Sequence, residues 1–340
     1  MSIRANRWIF AAVSGVLVSI NTHAAEDDTE PTVAFSGFIR GEYGVGDRYP
    51  EARGEDRLGI SKAALAADVR YEGIQGVFVI GTERLTDGNP DNDGNVDIKD
   101  AFIVIGGQKE RGFSASIGAQ ALLFGLKPNG YPGDRSLQPS IEFGGAGAFA
   151  VSNQAGPSLI GTYKFSPAVS VRFGAFDLDS DNGTGLFPPT DGSSLGDNLF
   201  VLVRANDLLM PGLYAAAGLE SIYVGGAVND SKSIATVGVG FKQGLIDASV
   251  ELMQLDAEIV GATDDERYVV AELALLPNDQ WTVYFDWADA SESEANTLRV
   301  GAHYQLMRHL ILSAEYSKDE FDVTGATDVD SADVRLAVVF

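Results

Sequence analysis

The stretch DGNPDNDGNVD, residues 87–97, places Asp91, Asp93, Asn95 and Asp97 at alternate positions around Gly94. Oxygen-bearing side chains two residues apart, with a glycine for a sharp turn, are the ligand pattern of a loop that wraps a calcium ion. The bidentate glutamate that closes a full EF-hand at its twelfth position is missing, so a solvated acidic loop remains the plainer reading. Other reactive chemistry is sparse. The chain has no cysteine, which removes thiolate metal sites, thiol nucleophiles and disulfides. Of its three histidines, His23 lies in the N-terminal segment, His309 in a short turn, and His303 in a charged stretch beside Arg299. None stands near a recognisable nucleophile motif, so hydrolytic and group-transfer enzymes are poorly supported.

A second set of charged residues is more regular. Arg172 alternates with Val171 and Phe173, Asp286 with Phe285 and Trp287, and Arg299 with Leu298 and Val300. Arg204 and Arg335 fall in stretches of the same kind. Period-two alternation belongs to a β-strand with one apolar and one polar face. Such charges cannot face lipid near a bilayer midplane, where each arginine or lysine costs roughly 2–4 kcal/mol.

The elements that must position these residues recur along the whole chain after residue 32. Sixteen strand-like segments centre near residues 39, 64, 79, 101, 116, 160, 173, 201, 217, 237, 250, 271, 285, 301, 315 and 335. The second is the least regular. Links after even-numbered segments are tight, as in EGIQG, KQG and LMRH. Links after odd-numbered segments are usually longer and polar, as in TDGNPDNDGN and VGATDD, and the longest runs from about 121 to 155. A soluble β-sandwich or β-helix accounts for the alternation but not for the one-sided loop lengths. The pattern predicts an all-β chain, a transmembrane antiparallel barrel of about sixteen strands, with short periplasmic turns and long extracellular loops. That strand number leaves a water-filled bore, whereas about eight strands are filled by side chains. Arg172, Arg204, Asp286, Arg299 and Arg335 are then expected to line it.

Residues 1–25 read differently: Arg4 and Arg7, the apolar run WIFAAVSGVLVSI, and small residues before Ala25. This is a signal-peptide pattern, leaving 26–340 as one barrel domain. The formal net charge of −24 becomes −26 once those two arginines are subtracted. So acidic a chain is not built for nucleic acid. The expected location is the cell outer membrane, among lipid and lipopolysaccharide.

Three motifs carry a resemblance to a known family. PSIEFGG (Pro139 to Gly145) resembles the Pro-Glu-Phe-Gly-Gly motif in the inward-folded constriction loop of Gram-negative general porins. KDAFIVIGG (Lys99 to Gly107) and GFSASIGAQ (Gly112 to Gln120) are similar to the two strands that precede that loop, in the same order. The resemblance implies a homotrimer whose third loop folds into the pore. It places Glu142 as the channel-facing carboxylate, Asp134 as its companion, and Arg40 and Lys99 as the opposing wall bases. Two extra residues, Ser140 and Ile141, separate Pro139 from Glu142, and Ala119 stands where the family often has arginine.

The function expected is a channel for passive diffusion of small hydrophilic solutes and ions, with no cofactor. A weak cation preference follows from the acidic mouth, which raises local cation concentration. A substrate-selective channel and a surface-structural or adhesin barrel are the alternatives. The last stretch, SADVRLAVVF, alternates up to Phe340 and reads as the strand that closes the barrel against the first. By resemblance, Phe340 is also the signal read by the barrel-assembly machinery. If Asp91–Asp97 binds Ca²⁺, bridging to lipopolysaccharide phosphates is the natural use.

Overall fold

The computed structural model describes residues 31–46, 56–83, 97–106, 111–121, 124–126, 155–176, 198–223, 231–259, 262–291, 295–321 and 328–339. Sixteen antiparallel strands result. The first five are β1 (Thr32–Gly46), β2 (Asp56–Tyr71), β3 (Ile74–Glu83), β4 (Asp97–Ile105) and β5 (Gly112–Ala121). Next come β6 (Ala155–Lys164), β7 (Val169–Phe176), β8 (Asn198–Asn206), β9 (Leu213–Tyr223) and β10 (Ser231–Gln243). The last six are β11 (Ile246–Ile259), β12 (Ala262–Asn278), β13 (Trp281–Ala290), β14 (Ala295–Met307), β15 (Leu310–Phe321) and β16 (Val329–Val339). Each of the sixteen sequence centres falls inside its strand. Sequence neighbours are sheet neighbours throughout, and β16 returns to β1 with Ile39 opposite Val338 and Tyr43 opposite Val334. The sheet therefore has no open edge, the condition for crossing lipid with strands.

Local chemistry explains the joints. At the β2–β3 turn, Glu72 and Gly73 both have positive φ (47° and 80°), the two-residue geometry whose twist suits a hairpin. The irregular second segment has a cause: the β1–β2 register steps from Arg40–Lys62 to Gly41–Ile60, leaving Ser61 as an extra residue. Such a bulge breaks the period-two pattern by one. One connection differs from its sequence reading. VGATDD is not a long loop, because β11 runs to Ile259 and β12 begins at Ala262, with those two residues paired. Polar composition there marks strand ends standing beyond the apolar band rather than a loop.

The outward face is apolar around the barrel. Phe35, Leu65, Phe78, Ile117, Leu219, Val239, Phe285, Val300 and Leu336 are all between 41% and 70% exposed. Water would not tolerate a greasy belt of that extent, and a bilayer requires one. Aromatic pairs sit at the short-turn end of this belt: Trp281 stacks on Tyr304 (centroids 4.5 Å apart) and Tyr163 meets Phe165 edge-on at 4.8 Å. Rings at that level match the aromatic girdle of membrane barrels. Among the described residues no helix is long and apolar enough to cross a membrane.

Candidate functional site

The inner wall is where the chemistry lies, and it has two unlike sides. On β12–β16 the inward face carries a band of charged residues. Glu272 lies opposite Asp286, and Asp286 opposite Arg299. Glu315 faces Asp333 across the next ladder, and Arg335 lies opposite Ser313. All six charged groups are 5% exposed or less. Buried charges persist when opposite charges and hydrogen bonds compensate the lost hydration, and Asp286 opposite Arg299 sets one acid against one base in this way. Tyr284 Oη donates to Glu315 Oε2 at 2.7 Å, reaching across β14 over Gly301. His303 stacks on the same tyrosine at 5.1 Å, and its Nδ1 lies 2.8 Å from Ser313 Oγ.

The opposite side, β6–β11, holds the start of the connection that follows β5. Phe124, Gly125 and Leu126 are buried inside the barrel rather than projecting from its rim. The Leu126 backbone N–H donates to Glu251 Oε1 at 2.8 Å, and Thr236 Oγ1 donates to the same oxygen at 2.5 Å. Arg204 Nη2 donates to the Gly125 carbonyl at 3.0 Å. Two glycines make room. A Cβ on Gly218 would stand 2.8 Å from the Phe124 ring, and one on Gly238 would stand 3.0 Å from Leu126. The third long connection thus turns inward at its base, held by a carboxylate on β11 and a guanidinium on β8.

Above this anchor, towards the long-connection end, the inner wall is apolar. Ile160, Phe176, Phe200, Ile222, Ile234, Met253, Leu255, Tyr268 and Val270 form one buried cluster with Phe124. Arg172 lies over the Phe200 ring, its Cζ 5.8 Å from the centroid. Within this wall Glu220 is 2% exposed, and among the described residues neither of its carboxylate oxygens has a hydrogen-bond partner. Across its two ladders it faces Phe200 and Ile234.

The residues singled out from sequence are distributed as follows. Asp286 and Arg299 are brought together on adjacent strands, with Arg335 two strands further on. Arg172 and Arg204 occupy the inner wall of β7 and β8, with Arg204 on the loop base. Arg40 is in β1, with Cα partners Lys62 and Ala337, and Lys99 is in β4. Glu142, Asp134 and Phe340 lie outside the described residues, as do Asp91, Asp93 and Asn95, while Asp97 opens β4. The apolar inner cluster and Glu220 were missed. Their signal was present in β8, NLFVLVRAN, where Phe200 and Leu202 interleave with Leu199, Val201 and Val203. A strand apolar on both faces is covered on both.

No family model and no curated protein matches the sequence. Solved structures do. The chain is similar to an anion-selective porin from Comamonas acidovorans at 14% identity and a TM-score of 0.66, covering 92% of this chain and 100% of that one. OmpF from Salmonella typhi is similar at 11% identity and a TM-score of 0.64, covering 93% and 99%. The trimer form of OmpT, an outer membrane protein of Vibrio cholerae, is similar at 13% identity and a TM-score of 0.61, covering 91% and 99%. At such identities the likeness concerns the fold, and it spans almost the entire length of both partners. The chain has the closed sixteen-stranded fold of Gram-negative outer-membrane porins.

Proposed function

We propose that this protein is a passive outer-membrane channel for small hydrophilic solutes and ions, with a weak preference for cations, and not an enzyme. The observation that carries this is the inward turn of the third long connection, pinned at Gly125 and Leu126 to Arg204 and Glu251 inside a sixteen-stranded barrel. A loop folded into a wide bore narrows it without closing it, which is the arrangement a size-limited diffusion channel needs. The cation preference rests on the formal charge of −24 and on the carboxylates of the β12–β16 wall. The anion selectivity in the name of the Comamonas protein is not carried over.

Within this reading, Glu142 and Asp134 supply the acids of the constriction, and Arg40 and Lys99 the opposing bases. Arg172, Arg204, Asp286, Arg299 and Arg335 line or shape the wall. The protein works as a homotrimer in the outer membrane, in contact with lipopolysaccharide, after removal of residues 1–25. Asp91, Asp93 and Asn95, with Asp97 at the start of β4, supply the oxygens of an outer site able to take up Ca²⁺.

Planar-bilayer recording tests the proposal. Stepwise conductance in potassium chloride is expected, with a reversal potential displaced towards potassium. Insertion without steps would leave a surface-structural barrel instead. Glu142→Gln is expected to reduce the cation preference, and an unchanged reversal potential would remove Glu142 from the constriction. A substrate-selective channel is the second reading, favoured by the apolar cluster on the inner wall.

A further inference from the structure

Glu220 is a charged group on the inner wall that the channel reading leaves without a task. It lies on β9, between Phe200 of β8 and Ile234 of β10, with Ile222 two residues along the same face. Both carboxylate oxygens are buried and, among the described residues, without a hydrogen-bond partner, and the residue is 2% exposed. The carboxylates Asp247, Glu251 and Glu315, by contrast, all have hydrogen bonds from the protein. An isolated carboxylate among aromatic and aliphatic side chains is costly to keep charged unless a cation meets it. A hydrated alkali ion suits this setting poorly, because the surrounding wall offers few oxygens to replace its water. A cation carrying its own apolar body suits it well. Its ammonium N–H groups would pair with the carboxylate, and its hydrocarbon part would take the place of what now covers Phe176, Phe200, Ile222 and Ile234, each 4% exposed or less. The wall already seats an aromatic ring in this way. Phe124 lies over Gly218, two residues from Glu220 on the same face.

We infer that Glu220 and the apolar inner face around it form a subsite for aryl- or alkylammonium solutes in the long-connection half of the barrel. This rests on the channel reading and names a solute class for it. The β6–β11 wall would bind the apolar cation in transit, while the charged β12–β16 wall passes small ions.

The test uses the full-length protein in planar bilayers, with 2-phenylethylammonium, ethylammonium and 2-phenylethanol added in turn from the long-loop side. Steps in potassium chloride alone establish the channel, and their absence defeats the channel reading rather than this one. Given steps, 2-phenylethylammonium is expected to interrupt the current at concentrations roughly tenfold or more below ethylammonium, because burial of the ring, which ethylammonium lacks, adds to the ammonium contact the two share. The neutral alcohol is expected to be equally weak. Glu220→Gln removes the charge with little change in shape and is expected to raise the half-blocking concentration of 2-phenylethylammonium by roughly tenfold or more. Glu220→Asp, which keeps the charge, is expected to lie between, and it supplies the measurement if the glutamine variant does not fold. Asp68→Asn, altering a carboxylate already paired with Arg70 on β2, is expected to change nothing. Equal block by all three probes, or block indifferent to both Glu220 variants, overturns the inference.

Discussion

Removing the carboxylate that holds the inward segment should loosen that segment by a calculable amount. In Glu251→Ala the Leu126 N–H loses its acceptor at 2.8 Å, while the Gly125 carbonyl keeps Arg204 and Phe124 keeps its place over Gly218. Thr236 also loses a partner, but that contact lies within the wall and is common to the docked and undocked segment, so it cancels. The difference is one hydrogen bond to a charged group, about 1.5–3 kcal/mol. At 1.4 kcal/mol per tenfold, the docked population falls by roughly 10- to 100-fold relative to the undocked one. Hydrogen exchange read at the Leu126 amide should accelerate by the same factor, with exchange in β14–β16 unchanged. Single-channel current should become noisier and larger on average, as a loosened constriction demands. Glu251→Gln keeps an acceptor oxygen without the charge, so its effect should be smaller. Leu126 exchange equal to wild type in Glu251→Ala would show that Phe124 and Arg204 alone fix the segment, and would refute the assignment of Glu251 as its anchor.

Gly301→Ala places a Cβ 2.2 Å from the Tyr284 ring, so the ring must leave and its bond to Glu315 must break. A loss of about 1–3 kcal/mol is expected, seen as a lower temperature for the heat-modified mobility shift on gels. Val300→Arg puts a guanidinium on the lipid-facing side of β14, where Val300 is 43% exposed. It should cost about 2–4 kcal/mol near the midplane and reduce folded yield in vesicles, whereas the same change at a rim position should be tolerated. Deletion of Phe340 should lower assembled trimer in the outer membrane while leaving the conductance of the molecules that do assemble unchanged. Normal yield would count against a role for Phe340 in assembly.

Much of the fold was legible because a membrane barrel exposes its logic twice, in the alternation of each strand and in the unequal connections. Trp281, Val283 and Phe285 against Thr282, Tyr284 and Asp286 gave the correct face for β13, and the same reasoning placed Arg299 and Arg335 inward. It faltered where local pattern and tertiary role diverge. Ser61 shifts the β2 period by one, and nothing in a single strand announces a bulge. VGATDD reads as a long polar loop, yet Ile259 already pairs with Ala262 and Thr263, Asp264 and Asp265 belong to β12. The anchor was harder still. Leu126 and Glu251 are 125 residues apart, and their meeting depends on a loop entering a cavity that no local window contains. Phe200 and Ile234 mislead for another reason: a hydrophobic residue in a membrane barrel is assigned to lipid by default, and the inner wall can be greasy too.

The two-sided apolar character of β8 also bears on the time before the barrel closes. In most strands the intervening polar residues dilute the hydrophobicity, so an unfolded segment in water has little reason to collapse on another. Between Leu199 and Val203 every side chain is apolar, with no charge until Arg204. Short, uncharged, β-prone runs are where chains cross-associate. The feature that gives the finished wall its greasy side therefore makes β8, like Ala101–Ile105 of β4, a segment in need of shielding by a holding chaperone, and a substitution placing a charge at Leu202 would ease transit while weakening the inner wall.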